Sequence, residues 1–186
     1  MGDRLRVFVA LPVPEPQRRV LADYLAASAR AVPGYRWVEP EALHLTLRFL
    51  GSVETAQLDR VRAELRRVRG EPFRVGLGDR GTFPGRGLPR VIWLDLAEGA
   101  ESCARLAAEI ESACRAAGVP AEARPFRAHV TLARARDRCL EPPRLSDPPR
   151  PDPWTADEFV LFESRLRPGP GPRYVPLERY PLGGRA

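Results

Sequence analysis

The stretch His44-Leu45-Thr46-Leu47 is matched further along the chain by His129-Val130-Thr131-Leu132. The chain of 186 residues contains 2 histidines, and both stand at the start of this His-apolar-Thr-Leu frame. One four-residue match is weak, because short patterns often arise by chance. A frame that takes in both histidines of the chain is much harder to attribute to chance, so we treat the two stretches as one feature that occurs twice.

Both frames have the alternation of a β-strand. Successive side chains of a strand point to opposite faces, so His44 and Thr46 share one face, about 7 Å apart. The two leucines of the frame point to the other face and would anchor the strand to the core. The same holds for the second frame. If the two strands lie side by side, two imidazoles and two hydroxyls converge on one cleft.

These polar side chains suit the cleavage of a phosphodiester. Free histidine has a pKa of about 6.5, so one imidazole can take a proton from water while the other gives one to the leaving oxygen. The hydroxyls of Thr46 and Thr131 can donate hydrogen bonds to the non-bridging phosphate oxygens. We therefore predict that His44 and His129 are catalytic and that the two threonines bind phosphate. A half-buried packing histidine is the alternative for either frame taken alone.

Charge and residue usage limit the chemistry further. The net charge of +6 suits a polyanionic partner such as RNA. All 30 basic residues are arginine, which GC-rich coding would also produce, so the excess is only a weak indication. The absence of lysine excludes a lysine nucleophile and a P-loop. Two histidines without a carboxylate cluster make a poor metal site, so we expect neither a metal nor a cofactor.

The length and composition, with 44% hydrophobic and 29% charged residues, predict one globular domain spanning residues 1–186. No apolar run approaches the length of about 20 residues that spans a membrane. The first residues enter a strand pattern without the apolar segment of a signal peptide, so we expect a cytoplasmic protein. The 3 cysteines form no CxxC pair. Cys103 and Cys114 share one predicted helix face as core residues, and Cys139 falls in a predicted loop.

Hydrophobic periodicity predicts about eight strands and three helices. Residues 4–11 alternate like a strand that is buried on one face only. Residues 78–89 and 142–153 are rich in glycine or proline and are typical of loops. The predicted helices are 15–31, 54–69 and 100–117. The predicted strands are 4–11, 35–38, 43–50, 73–77, 91–96, 128–134, 159–166 and 174–182.

At these residues the chain resembles the 2H phosphoesterase superfamily, which is named for its two His-x-Thr/Ser-x frames. The similarity is to the branch called RNA 2′,3′-cyclic phosphodiesterase or 2′-5′ RNA ligase, and it covers nearly the whole chain. Beyond the two frames, the matching stretches are Arg6-Val7-Phe8-Val9-Ala10-Leu11, Arg36-Trp37-Val38, Arg48-Phe49-Leu50-Gly51, Gly81-Thr82-Phe83-Pro84, Pro89-Arg90-Val91-Ile92-Trp93, Phe126-Arg127-Ala128, Ala133-Arg134 and the C-terminal hairpin with Arg173-Tyr174 and Leu177.

The resemblance implies a bilobal α+β fold, in which two similar lobes with antiparallel sheets flank a central active-site groove and the helices lie outside. It also implies metal-independent hydrolysis of RNA 2′,3′-cyclic phosphate ends to 2′-phosphomonoesters, with His44 as the acid and His129 as the base. The residues alone do not assign these roles, because the frames are nearly symmetric. The reverse reaction would join RNA ends by a 2′-5′ linkage without ATP.

The same resemblance adds two positions, each five residues after a histidine. Phe49 would stack on a nucleobase and Arg134 would bind phosphate. Strict alternation places both on the face opposite to the histidines, unless the strand bulges or ends first. The expected partner is RNA with a 2′,3′-cyclic phosphate end, tRNA fragments included, and we expect a monomer without an obligatory protein partner.

Two other functions stay open at this stage. A non-catalytic RNA-binding module would keep the groove without performing chemistry. A 2H enzyme for a small cyclic nucleotide would use the same residues on a substrate without an RNA chain.

Overall fold

The computed structural model describes residues 4–85, 88–136, 145–166 and 171–183. Within these ranges the chain forms an α+β fold, which confirms the predicted class. The helices are α1 (Glu15–Ala31), α2 (Thr55–Leu65) and α3 (Ala100–Ala116), with a short 3-10 turn at Pro40–Ala42. The strands are β1 (Arg4–Pro12), β2 (Tyr35–Trp37), β3 (His44–Glu54), β4 (Phe73–Phe83), β5 (Val91–Glu98), β6 (Val130–Ala135), β7 (Trp154–Ala156), β8 (Glu158–Arg165) and β9 (Arg173–Pro181).

The strands form one antiparallel sheet in the order β7-β4-β5-β6-β3-β1-β8-β9, with β2 paired to β6. The two strands that carry the His-apolar-Thr-Leu frames, β3 and β6, are neighbours at its centre. On the β3 side lie β1, β8 and β9, and on the β6 side lie β5, β4 and β7. The two expected lobes are therefore the two halves of this sheet, and they meet at the two frame strands.

The helices cover the sheet with apolar stripes, as their periodicity predicts. In α3 the buried residues are Cys103, Leu106, Ala107, Ile110 and Cys114, and α3 packs against α2 and β3. The helix ends at Ala116, shortly before a glycine with a left-handed φ of +82° at position 118, a common way to end a helix. Cys103 and Cys114 are thus core residues, while Cys139 lies outside the described residues.

Strand β1 differs from the prediction in its burial. All five residues from Val7 to Leu11 are buried, with at most 1% of each residue exposed, so this part of the strand is not half-buried. Strand β1 lies between β3 and β8, so both of its edges are paired, and side chains cover both of its faces over these residues. One face contributes to the core, and Phe8 on the other face packs against aromatic rings. The predicted alternation is present, but the second face is buried at Phe8 and Ala10 and faces solvent only at Arg4 and Arg6.

Strand β4 extends to Phe83, so the predicted loop at 78–89 is wrong over its first six residues. The glycines there make room for side chains of β5. A Cβ at Gly81 would lie 2.3 Å from the ring of Trp93, and one at Gly78 would lie 2.1 Å from the carboxylate of Asp95. Glycine in a strand often marks such a close approach, and here it allows Trp93 to lie flat on β4.

The remaining differences are at element ends. Helix α2 ends at Leu65 rather than at residue 69, because Arg67 and Val68 donate hydrogen bonds to carbonyls three residues back, as in a tighter turn. The short strand β7 was not predicted. Residues 145–153 form no helix or strand, as expected, and 142–144 lie outside the described residues. None of the helices in the described ranges has the length and apolar content that crossing a membrane requires.

Candidate active site

The pairing of β3 with β6 brings the two frames together. Leu45 lies opposite Val130, and the strands are antiparallel. This register sets His44 opposite Thr131 and Thr46 opposite His129, all four on the face away from the buried Leu45–Val130 pair. Opposite side chains on neighbouring strands have Cβ atoms about 5 Å apart, and diagonal ones are about 7–8 Å apart. The two histidines are diagonal neighbours, so one phosphate group has the size to reach both.

A bulge in β3 decides where Phe49 points. Thr46 and Arg48 pair with consecutive residues of β1, so Leu47 has no partner on that strand. A bulge of one residue shifts the alternation of the following residues to the other face. Phe49 consequently lies opposite Phe8, with 5.5 Å between ring centroids. The bulge that Phe49 needs in order to face the groove is therefore present.

Strand β6 has a bulge at the equivalent leucine. Thr131 and Ala133 pair with consecutive residues of β5, and Leu132 has no partner there. Arg134 is thereby returned to the face that carries His129. Each frame thus ends in a leucine that bulges, and each bulge turns the residue five positions after the histidine into the groove.

Both imidazoles are fixed by the same backbone contact. His44 Nδ1 lies 2.7 Å from the carbonyl oxygen of Ala42, and His129 Nδ1 lies 2.7 Å from that of Arg127. A carbonyl oxygen can only accept a hydrogen bond, so Nδ1 carries the proton and donates it in each case. The proton that can be exchanged is therefore the one at Nε2. A neutral ring has its lone pair at Nε2 and can act as a base, and a charged ring can act as an acid.

Aromatic rings hold each imidazole from the side. These contacts, edge-on for three of the rings and tilted for Phe8, fix the plane of the imidazole, which the single hydrogen bond at Nδ1 leaves free to turn. Sequence reasoning did not single out these four residues, although all of them lie in stretches that carry the family resemblance. The rings are Phe8 and Tyr174 around His44, at centroid distances of 4.9 and 5.0 Å, and Phe83 and Trp93 around His129, at 5.2 and 6.0 Å.

The environment favours the neutral form of His44. Its pKa is lowered from 6.5 to about 4, mainly by burial. The hydrogen bond to the Ala42 carbonyl opposes this shift, and the positive charges of Arg134 and His129 add to it. At neutral pH this imidazole is unprotonated in the free protein.

The pKa of His129 is lowered as well. Burial is again the largest cause, and the positive charges of Arg134 and Arg127 act in the same direction, against the hydrogen bond to the Arg127 carbonyl. Both imidazoles therefore resist a proton as long as the groove holds no anion. A bound phosphate would bring negative charge to both rings and raise both pKa values.

A cavity of about 840 Å³ opens along this face. Its wall includes Thr46, Phe49, His129 and Arg134, and it continues between α3 and residues 122–127. Among the described residues, His44 is not part of that wall, since Phe8 and Tyr174 pack against its ring. One histidine is thus more enclosed than the other.

Arg127 adds a positive charge next to His129. Its guanidinium lies over the ring of Trp93, 4.4 Å from the centroid, and 5.5 Å from that of Phe83. Stacking of this kind holds an arginine in place without neutralising it. The charge therefore stays available to the groove.

Arg48 connects the two frames and was not predicted to matter. Only 7% of its side chain is exposed. It pairs with Glu111 of α3 and with Glu122 at 3.5 Å, and it donates a hydrogen bond of 2.5 Å to the carbonyl of Pro120. The first frame strand is thereby tied to the segment that leads into the second. Nothing in the local sequence distinguishes a strand arginine that distant partners bury from one that is exposed.

No three His, Cys, Asp or Glu side chains in the described ranges are grouped so that they could hold a metal ion.

Comparison with known proteins finds relatives along the full chain. A protein of Thermus thermophilus named RNA 2′,3′-cyclic phosphodiesterase is 36% identical, and the match covers 97% of this chain and 91% of that protein. The Escherichia coli protein of the same name is 29% identical over 98% of this chain and 99% of its own.

Solved structures agree with these relatives. A crystal structure of a Thermus thermophilus protein has a TM-score of 0.83 at 34% identity, and it covers 98% of this chain and 100% of that one. The structure of Escherichia coli LigT complexed with 3′-AMP has a TM-score of 0.79 at 28% identity, with 98% and 100% covered. The model of the LigT-like phosphoesterase family matches twice, at residues 11–93 and 94–171, and each match contains one of the two frames. Two matches that together span most of the chain, one histidine in each, place the protein in the LigT-like phosphoesterase family.

Proposed function

We propose that this protein hydrolyses 2′,3′-cyclic phosphate ends of RNA to 2′-phosphomonoesters, without a metal ion, by acid–base catalysis between His44 and His129. The observation that carries the proposal is the orientation of both imidazoles. Each donates Nδ1–H to a backbone carbonyl, so each presents Nε2 for proton exchange, on one face of two neighbouring strands. The names of the full-length relatives favour the same substrate class.

In the proposed reaction a water oxygen attacks phosphorus while the bond from phosphorus to O3′ breaks. One imidazole takes the proton of the water at Nε2, and the other gives its Nε2 proton to O3′, so charge and protons balance. By the family resemblance, His44 is the acid and His129 the base. Both pKa values are lowered in the free protein. We therefore propose that the bound anionic phosphate raises the pKa of the acid, so that this imidazole holds the proton it must donate.

The remaining predicted residues fit roles around this centre. Thr46 and Thr131 would donate their hydroxyl hydrogens to the non-bridging oxygens, and Arg134 would add a positive charge. Phe49, 38% exposed and on the face of the histidines, would offer its free side to the terminal base. These roles rest on placement and on the resemblance.

Ligation by the same site is part of the proposal. Attack of a 5′-hydroxyl in place of water would form a 2′-5′ phosphodiester with O3′ still leaving, and no ATP is consumed. The chain has no lysine, so the lysine adenylate of ATP-dependent ligases cannot form. The cytoplasmic location, the monomeric state and the single-domain organisation of residues 1–186 stay predictions.

The test is to incubate an RNA oligonucleotide that ends in a 2′,3′-cyclic phosphate with the protein and excess EDTA. We expect a 2′-phosphate product, identified by its phosphorus NMR shift. Unchanged RNA that nevertheless binds would favour a non-catalytic RNA-binding module, and loss of turnover with EDTA would refute the metal-independent reaction.

Two matched variants assign the chemistry to the histidines. Asparagine can keep the hydrogen bond from the side chain to the backbone carbonyl, but it cannot exchange a proton. We expect His44→Asn and His129→Asn each to lower turnover at least about a thousandfold, a range set by losing a general acid or base. Arg67→Gln, in the turn after α2, removes an exposed arginine paired with Glu64 and serves as the control with unchanged turnover.

A further inference from the structure

Three exposed arginines near the histidines have no acidic partner. Arg6, Arg36 and Arg134 form no ion pair with any carboxylate in the described part of the chain. Many other surface arginines do have one, as Arg4 and Arg19 show. Unneutralised guanidinium groups close to one another are the usual mark of an anion site.

Two of these arginines face each other. Arg36 of β2 lies directly opposite Arg134 of β6, and like charges in that position destabilise a sheet. The stem of Arg36 also lies close to the turn before β9, since a Cβ at Gly171 would be 3.9 Å from its Cδ. The pair is therefore held between two parts of the sheet, and a bound anion would relieve its repulsion.

Arg6 lies on β1, on the face where Phe8 packs against His44 and Tyr174. It stands two residues before Phe8, so the two share a face, and Phe8 contacts both His44 and Tyr174 at 4.9 Å. The charges of Arg134, Arg6 and Arg36 all lower the pKa of Tyr174, although burial raises it overall. All three guanidinium charges therefore act on the phenol of Tyr174, whose ring contacts Phe8, and its O–H would donate a hydrogen bond to an anion bound among them.

The number of positive charges exceeds what one cyclic phosphate needs. A cyclic phosphodiester carries a single negative charge, which Arg134 and a protonated imidazole together already outweigh. In an RNA chain, the next phosphate lies on the 5′ side of the terminal nucleotide. We propose that Arg6, Arg36 and Tyr174 form a second phosphate subsite, which binds the phosphate on the 5′ oxygen of the nucleotide whose cyclic phosphate is cleaved.

This inference rests on the proposed function and specifies its substrate as an RNA end rather than a nucleoside. The test compares four compounds that share the same cyclic phosphate. They are adenosine 2′,3′-cyclic phosphate, its 5′-phosphorylated form, the dinucleotide ApA with a 2′,3′-cyclic phosphate end, and the same dinucleotide with a neutral methylphosphonate linkage. The last two have the same bases and differ in one charge.

We expect kcat/KM to be about tenfold higher for the dinucleotide than for its methylphosphonate form, the range expected for one charge-assisted phosphate contact. The advantage of the charged linkage should shrink as salt concentration rises, since salt screens the contact between the phosphate and the arginines. A gain with the 5′-phosphorylated nucleoside as well would show that the subsite accepts a phosphate monoester, and a gain with the dinucleotide alone would show that it requires the diester.

Variants connect the effect to the subsite. In Arg36→Gln and Arg6→Gln we expect the ratio between the two dinucleotides to fall towards one, and in the control Arg67→Gln we expect it to keep its wild-type value. The ratio is taken within each variant, so a loss that affects both substrates equally cancels. A wild-type ratio of one, with turnover of all four compounds, would overturn the subsite and leave the proposed function intact. Failure to hydrolyse any of the four would refute both.

Discussion

Acidification should destabilise this protein through His44. The pKa of that imidazole is lowered from 6.5 to about 4, so the unfolded chain binds a proton between these values and the folded chain does not. Stability contributed by the neutral ring is therefore fully present above pH 6.5 and is lost as pH falls towards 4. At 1.36 kcal/mol per pKa unit the loss is about 3 kcal/mol, and His44 is the largest such contribution that the two histidines make.

The measurement is urea unfolding of the wild-type protein and of His44→Asn from pH 7.5 down to pH 4.5. Carboxylates that titrate in this range are the same in both proteins, so their effect cancels in the difference. We expect the wild-type protein to lose about 2–3 kcal/mol more than the variant over this range. His129→Asn serves as a second comparison, and its difference should have the same sign, because the pKa of His129 is lowered too.

NMR titration measures these pKa values directly, because a chain with 2 histidines gives only two imidazole Hε1 signals. The signal that disappears in His44→Asn should titrate well below pH 6. If the wild-type protein and His44→Asn lose stability in parallel, or if that signal titrates near 6.5, the claim that burial lowers the pKa of His44 is refuted.

Further predictions concern the supports of the site. Gly81→Ala should destabilise the fold by about 2 kcal/mol and slow turnover, because the new methyl group displaces the Trp93 ring beside His129. The control is Gly85→Ala, where a Cβ meets open space and neither property should change. Equal melting temperatures for the two variants would contradict the close packing of Trp93 on Gly81. Arg48→Met should cost about 2 kcal/mol in urea unfolding, because two half-buried carboxylates and the Pro120 carbonyl lose their buried partner. A cost below about 1 kcal/mol, the size of an exposed pair, would count against this account. Since the pKa values of both imidazoles are lowered in the free protein, kcat/KM should already fall with rising pH at about 6.5, the ordinary pKa of histidine. The profile of kcat, measured with phosphate bound, should lie at higher pH, and identical profiles would argue against a rise in pKa caused by the substrate.

The sequence predicted the parts of the fold that depend on local periodicity. Helices α1 and α3 have the predicted bounds to within one residue, because an apolar stripe and a terminal proline or glycine are local signals. The extension of β4 was missed, because Gly78 and Gly81 are typical of loops when the partner that needs their space, Trp93, is distant in sequence. Arg48 was missed for the same reason, since its partners come from α3 and the segment after it.

The bulges at Leu47 and Leu132 show most clearly where local reasoning ends. Each leucine is buried and fits a regular strand as well as a bulged one, so no property of the residue itself reveals the extra position. What reveals it is the number of residues between fixed pairs on the neighbouring strand. Strict alternation consequently placed Phe49 and Arg134 on the wrong face, and the alternative of a bulge was the correct one.

The two bulges also explain how a nearly symmetric pair of frames can act in one direction. Equivalent strands, equivalent carbonyl contacts at Nδ1 and equivalent bulges would make the two histidines interchangeable. The equivalent position five residues on breaks that symmetry, because it holds an aromatic ring in one half and a guanidinium in the other. A nucleotide has the same polarity, with a flat apolar base at one end and phosphate charge at the other. With the proposed roles of Phe49 and Arg134, it would lie in the groove in one orientation, and that orientation would decide which imidazole meets O3′.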